Sequence, residues 1–235
     1  NGAYRGVARD TLWKLGQWAG LGAPYLVKIF DTLAGSRTWS DEEQIVIDAV
    51  TRVADEVIAP NAARYDQSAE FPWDNVHALN DLGLNGLFVP VVYGGAEMSF
   101  KVYVECVKLI SAACASTGIT YATTFHGMKP LIDYGSDAQK KRLLPIITNG
   151  GLGSLVITEP NAGSDATGMR TTFSPVHDDV VVNGQKTFIT QGDVADLLLV
   201  FGKWSEIEDS KQSISVLLLE KGTPGFSVER LEDKM

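Results

Sequence analysis

Two short runs hold the residues best suited to chemistry in this chain. The first is Ser154-Leu155-Val156-Ile157-Thr158-Glu159-Pro160-Asn161-Ala162-Gly163-Ser164-Asp165, and the second is Gly184-Gln185-Lys186-Thr187-Phe188-Ile189-Thr190-Gln191-Gly192. In the first run an apolar strand stops at Pro160, which fixes its own φ and lacks a backbone donor, and Gly163 admits torsions that other residues avoid. A strand end that turns so sharply exposes backbone N–H groups and small hydroxyls. Such a surface suits a polar, anionic or planar heteroaromatic ligand. The second run sets an aromatic, Phe188, and a hydroxyl, Thr190, at the far end of another strand. Other reactive types are scattered. His77, His126 and His177 have no partners at metal spacing and read as structural. Cys106 and Cys114 sit in an apolar helical run with neither zinc nor disulfide spacing, so they read as reduced core thiols of an intracellular protein.

The elements that must position these runs differ in period along the chain. From Ser40 to Gly150 the pattern is helical. Ser40 and Glu43 form a capping box ahead of Ile45, Val46, Ala49, Val53, Val57 and Ile58, and Pro60 ends or bends that helix. A helix from Trp73 closes at Gly83, Tyr93-Gly94-Gly95 reads as a turn, and buried helices follow over 99–115 and 117–134. Ser136 caps a further helix over 137–148, whose Lys140, Lys141 and Arg142 read as a solvated face. After Gly151 the period alternates, and strands are expected over 154–158, 170–174, 179–183, 187–190, 196–201, 213–219 and 226–230. Asn183-Gly184 reads as a hairpin turn. The fold class is therefore α+β, an all-helical part followed by an antiparallel β-barrel or sandwich. Expected domains are a helical extension over 1–39, a helical domain over 40–150 and a β domain over 151–235.

Composition narrows the function. With 235 residues, 45% hydrophobic and 21% charged, and a formal net charge of −9, the chain reads as a globular protein and excludes a nucleic-acid surface, which needs clustered cations. No apolar run is long enough to span a membrane. Residues 1–39 carry Arg5, Arg9, Lys14, Lys28 and Arg37 among Leu12, Trp13, Leu15 and Trp18. This pattern fits packing on the protein or a neighbouring subunit, with membrane-surface contact or a transit peptide as the alternatives. Gly150-Gly151-Leu152-Gly153 precedes a strand, whereas a Rossmann fingerprint follows one, so that reading is rejected.

The runs 157–165 and 183–190 resemble the flavin-binding signatures of the acyl-CoA dehydrogenase family. Leu82-Gly83-Leu84, Val89-Pro90, Tyr93-Gly94-Gly95 and 134–141 resemble its upstream segments in the same order. The resemblance implies a helical domain, a β domain and a C-terminal four-helix bundle, with FAD between the last two. It implies FAD contacts from Leu155, Ile157, Thr158, Gly163, Ser164, Phe188, Ile189 and Thr190, with Phe188 in place of a more usual tryptophan. Ser164 is implied near the CoA arm of an acyl-CoA substrate, and Ala122 and Thr123 on the floor of the acyl pocket.

It further implies hydride transfer to flavin N5, electron-transferring flavoprotein or a similar acceptor, and a homo-oligomer (dimer or tetramer). The expected location is cytoplasmic, with the mitochondrial matrix as the alternative. The family's proton-abstracting glutamate lies in the C-terminal bundle and matches no residue here, so no catalytic residue and no metal ligand is assigned. Either the sequence is a fragment, the favoured expectation, or the remainder is supplied elsewhere. An acyl-CoA oxidase and a non-catalytic partner subunit remain open alternatives. Asp165 and Glu159 read as structural residues, not as bases.

Overall fold

A computed structural model describes residues 39–209 and 212–232. The amphipathic reading of 1–38 lies outside these residues. Helix α1 (Asp41–Val53) starts at the expected capping box: Ser40 Oγ accepts from the Glu43 N–H at 3.1 Å, and Glu43 Oε2 accepts from the Ser40 N–H at 3.1 Å. Glu43 Oε1 also accepts from Ser99 Oγ at 2.7 Å, and Ser99 caps α4 (Phe100–Ala113). One carboxylate thus ties two helix starts together. Pro60 neither ends nor breaks the first helix. The chain widens into a π-helical stretch, Ala54–Ile58, and runs on as α2 (Ala59–Ser68), with Pro60 just past the point where π-helical spacing returns to α-helical.

Helix α3 (Trp73–Asp81) ends before Gly83, whose φ of 69° is the left-handed stop that glycine favours. Helix α5 (Ala115–Tyr134) is the central element, buried from Thr117 to Leu131 on nearly every face. Against α4 it packs Tyr121 and Phe125 onto Tyr103, with Tyr103 and Phe125 rings 4.3 Å apart. Cys106 lies in this core, and burial pushes its thiol up to about 12, which fits the inert role expected of it. Helix α6 (Asp137–Thr148) begins with a second capping box, Ser136 with Gln139.

The sheet contains β1 (Gly153–Val156), β2 (Thr172–Val176), β3 (Asp179–Asn183), β4 (Leu197–Trp204) and β5 (Ile214–Glu220). It is mixed, which corrects the antiparallel expectation. β5 runs antiparallel along one edge of β4, while β1 and β2 share the other edge in tandem, both parallel to β4. The tight hairpin is β2–β3, and it turns at His177-Asp178, with His177 at φ 56°, not at Asn183-Gly184. Gly184 serves close packing instead. A Cβ there would stand 2.3 Å from Thr171 Oγ1, so only glycine allows that approach. Residues 187–190 and 226–230 are not strands. In the first of these Phe188 takes a left-handed backbone (φ 54°), which a ladder cannot accommodate. β2 begins at Thr172, not 170, because the N–H groups of Arg170 and Thr171 donate to Glu159.

Helix α5 lies directly on β1. A Cβ at Gly127 would come within 2.9 Å of the Ser154 nitrogen, so the two backbones touch where the first chemical run begins. Among the described residues no helix is long and apolar enough to cross a membrane, and no cluster of His, Cys, Asp or Glu could hold a metal ion.

Candidate functional site

The site is built from three segments. β1 carries Leu155 toward its tip, and Ile157 and Thr158 continue past the last ladder residue. Next, Glu159 and Ala162 exchange backbone hydrogen bonds (Glu159 N to Ala162 O 2.9 Å, Ala162 N to Glu159 O 3.1 Å), which closes the turn around Pro160. Residues 184–191 then cross over this tip as a strap.

The strap is pinned at several points. The Thr187 N–H donates to Thr158 O at 2.9 Å, and Ser154 Oγ donates to Thr190 O at 2.7 Å. Gln191 is buried, and its Nε2 donates to Thr124 Oγ1 on α5 (3.0 Å) and to Gly153 O on β1 (2.6 Å), while its Oε1 has no partner. Lys186 Nζ donates to Ile157 O at 2.8 Å and to Glu159 Oε1 at 2.9 Å, with Glu159 buried and Lys186 half-buried.

Glu159 also accepts from the Arg170 N–H (2.6 Å), the Thr171 N–H (3.0 Å) and Thr171 Oγ1 (2.5 Å). Burial alone would raise its carboxyl, but the bonds from Thr171, Lys186 and the two amides outweigh burial and hold it at about 2. Burial pulls Lys186 down, against the raising effect of Glu159. Glu159 is thus an anion held by four hydrogen bonds, three on Oε1 and one on Oε2, a brace and not a base.

Between tip and strap lies one cleft of about 180 Å³ lined by Thr123, His126, Leu155, Ile157, Thr158, Phe188, Ile189 and Thr190. Seven of the residues singled out in the sequence therefore meet in one place: Thr123, Leu155, Ile157, Thr158, Phe188, Ile189 and Thr190. Gly163, Ser164 and Ala122 do not line it. Gly163 and Ser164 are exposed in the turn, and a Cβ at Gly163 would meet nothing, so neither torsion nor packing within the chain demands glycine there. Ala122 is buried, and its carbonyl accepts from Tyr103 OH at 3.4 Å. Asp165 binds Thr167 Oγ1 at 2.6 Å within the turn, as a turn former does.

His126 joins the lining although the sequence reading left it as structural. The signal was present, since it follows Thr123 at a spacing that keeps both on one helix face.

The lining suits a flat heteroaromatic ring with a polar edge. Leu155, Ile157 and Ile189 are apolar, and Phe188 stands 63% exposed at the lip on a left-handed backbone. The Thr158 and Thr190 side chains have no hydrogen-bond partner among the described residues, so their hydroxyls are available to a ligand. This donor set fits the isoalloxazine of FAD, which needs an apolar and aromatic surround with a few fixed donors.

Comparison with known proteins places the chain in a family. Residues 40–151 match the model of the acyl-CoA dehydrogenase N-terminal domain, and residues 154–235 match that of its middle domain. The chain is 37% identical over 196 residues to a probable acyl-CoA dehydrogenase of Bacillus subtilis, covering 83% of this chain and 52% of that protein. It superposes on butyryl-CoA dehydrogenase from Megasphaera elsdenii with a TM-score of 0.79 and 30% identity, over 84% of this chain and 53% of the other. It superposes on an acyl-CoA dehydrogenase from Bacillus anthracis complexed with FAD at a TM-score of 0.76 and 27% identity, over 87% of this chain and 35% of the other. The chain spans about half the length of the curated relatives it matches. With its helical part and its sheet part matched in turn by two successive domains of one family, the chain belongs to the acyl-CoA dehydrogenases.

Proposed function

We propose that this chain forms one wall of the FAD slot of an enzyme that dehydrogenates an acyl-CoA thioester between its α and β carbons. The observation that carries the reading is the convergence of Thr158, Thr190 and Phe188, from segments far apart in sequence, on one cleft. FAD, when bound, supplies a ring that accepts hydride. Leu155, Ile157 and Ile189 exclude water from it, Phe188 gives it an aromatic cover, and the Thr158 and Thr190 hydroxyls are the side-chain donors on offer to its polar edge. Fixed donors in a water-poor cleft favour the extra negative charge of the reduced state. Thr123 and Ala122 belong in this reading to the acyl side, and Gly163 and Ser164 to the approach of the CoA arm.

No cleft-lining side chain is a carboxylate. The glutamate that takes the α proton belongs, in this proposal, to the C-terminal bundle that the family resemblance implies. The acceptor is an electron-transferring flavoprotein or a similar one-electron carrier, the assembly is a homo-oligomer, and the domain limits 40–150 and 151–235 belong to the same proposal.

The test is anaerobic titration of the purified flavoprotein with acyl-CoA thioesters of several chain lengths. Bleaching of the flavin absorbance with reoxidation by the acceptor is expected. No bleaching at saturation overturns the catalytic reading in favour of a partner subunit, and fast reoxidation by air alone turns it into an oxidase.

A further inference from the structure

Thr158 sits at the tip of β1 between two anchored carbonyls. Ahead of it, Ile157 O accepts from Lys186 Nζ at 2.8 Å, and its own carbonyl accepts from the Thr187 N–H at 2.9 Å. The ladder between β1 and β4 stops at Val156 and Val200, and the Thr158 N–H has no partner among the described residues. Thr158 is half-buried, and it lines the cleft together with Ile157. Backbone donors away from bulk water are almost always paired, so one left open beside a cleft is a place for a ligand.

The peptide itself fixes which way this donor points. The Ile157 carbonyl and the Thr158 N–H belong to one planar trans unit, whose two polar ends point in opposite directions. The carbonyl end is turned to Lys186, which does not line the cleft, whereas the residues on both sides of the bond do. The N–H end therefore faces away from Lys186 and toward the cleft. A cation bound to a peptide oxygen also draws charge through the conjugated unit and makes the opposite N–H a stronger donor.

We infer that Lys186 is a positioning residue for the bound ring: through the Ile157–Thr158 peptide it aims and strengthens a backbone donor toward the ring's polar edge. The inference rests on the flavin reading above. Reduction leaves the ring with additional negative charge, which a strengthened N–H favours. Glu159 moderates the effect, because its carboxylate, 2.9 Å from the same Nζ, partly cancels the cation. Losing the cation thus disfavours the reduced ring, whereas losing the carboxylate favours it. A pair that only braces the strap gives both losses the same sign, since each loosens the same contact.

The experiment measures the equilibrium between oxidised and reduced flavin against a reference dye, with dithionite as reductant, at a single pH near neutrality. It compares the FAD-loaded wild type with Lys186→Met and Glu159→Gln. Lys186→Met should shift the equilibrium toward oxidised flavin by about fivefold, the effect of one hydrogen bond polarising the next. Glu159→Gln should shift it toward reduced flavin. Lys186→Gln, which keeps a neutral donor, replaces Lys186→Met if that variant releases its FAD, and should shift the equilibrium the same way by about twofold. Any other pattern of signs overturns the inference while the flavin reading stands. Loss of FAD from both lysine variants in folded protein also overturns it, since Lys186 is then a brace alone. If the wild type takes up no FAD, the flavin reading itself fails.

Discussion

Glu159 illustrates how a residue beside a ligand cleft can matter without touching the ligand. Its carboxylate joins the β1 tip to the start of β2 and, through Lys186, to the strap, so the two walls of the cleft share one anchor. Replacing it with glutamine leaves the half-buried Lys186 without a counter-charge, at a cost of about 1–3 kcal/mol. The pH dependence has a definite sign. The folded carboxyl sits at about 2 against an ordinary 4.5, so the unfolded chain takes up its proton first as pH drops. Its contribution is fully present above pH 4.5 and is lost as pH falls through that value toward 2, about 3 kcal/mol in all. Urea unfolding between pH 6 and 2.5 should show this loss in the wild type and a flatter profile in Glu159→Gln. The hydroxyls facing the cleft act differently, on ligand and not on fold. Thr158→Ala and Thr190→Ala should each weaken FAD retention about tenfold, as measured by flavin release on dilution, with the unfolding midpoint nearly unchanged.

At the scale of elements, the strap 184–191 departs from the strand that sequence reasoning expected over 187–190. Phe188, Ile189 and Thr190 line the cleft on a looped backbone. Alternation of Thr187, Phe188, Ile189 and Thr190 looks like a strand, yet left-handed torsions at Phe188 and Gln191 turn the segment into a crossing loop. Local periodicity cannot reveal this, because the bonds that impose it come from Thr158, Ser154, Thr124 and Gly153, all distant in sequence. The same holds for Asn183-Gly184, whose hairpin signal yields to the need for a residue without Cβ beside Thr171. Gln191 is the pin that makes the strap a rigid wall. Gln191→Ala removes both of its bonds and leaves the Gly153 carbonyl with one donor fewer, at a cost of about 2 kcal/mol. Faster hydrogen exchange at the Thr187 amide, ahead of that in β4, is the expected signature. The helix wall has its own sensitive point. In Gly127→Val a Cβ would press on the Ser154 nitrogen at 2.9 Å, driving α5 off β1 and costing about 1–3 kcal/mol. Calorimetry should show the lower transition, and FAD affinity should fall with it because Thr123 and His126 move away from the strap.

Across the whole molecule, the order helix-then-sheet was legible because period 3.6 and period 2 separate cleanly at Gly150-Gly151. The strand directions were not, because pairing partners are chosen by packing between distant segments and leave no trace in local alternation. β1 and β2 both run parallel to β4, an arrangement that needs the long excursions between them, and α5 lies against the start of β1. The cleft is formed by both halves at once, since Thr123 and His126 come from a helix and the other lining residues from the sheet region. Its geometry therefore depends on how firmly the halves are joined. Two buried or half-buried amides at the junction contribute to this: Asn80 Nδ2 donates to Gly150 O at 2.9 Å and Asn85 Nδ2 to Gly151 O at 3.0 Å. On the sheet side, Asp196 Oδ2 accepts from the Leu152 N–H at 2.9 Å, so the connection is clamped from both directions. Replacing both asparagines by alanine leaves two carbonyls without these donors and costs about 1–3 kcal/mol for each that stays buried. With the junction weakened, the halves should cease to unfold as one unit. Native-state hydrogen exchange is expected to give α5 and β4 a common opening free energy in the wild type and two separate values in the double variant, the lower one in β4, whose strands hold the smaller core. A common value in the double variant would mean that α5 and β1, through their contact at Gly127, hold the halves together without help from the amides.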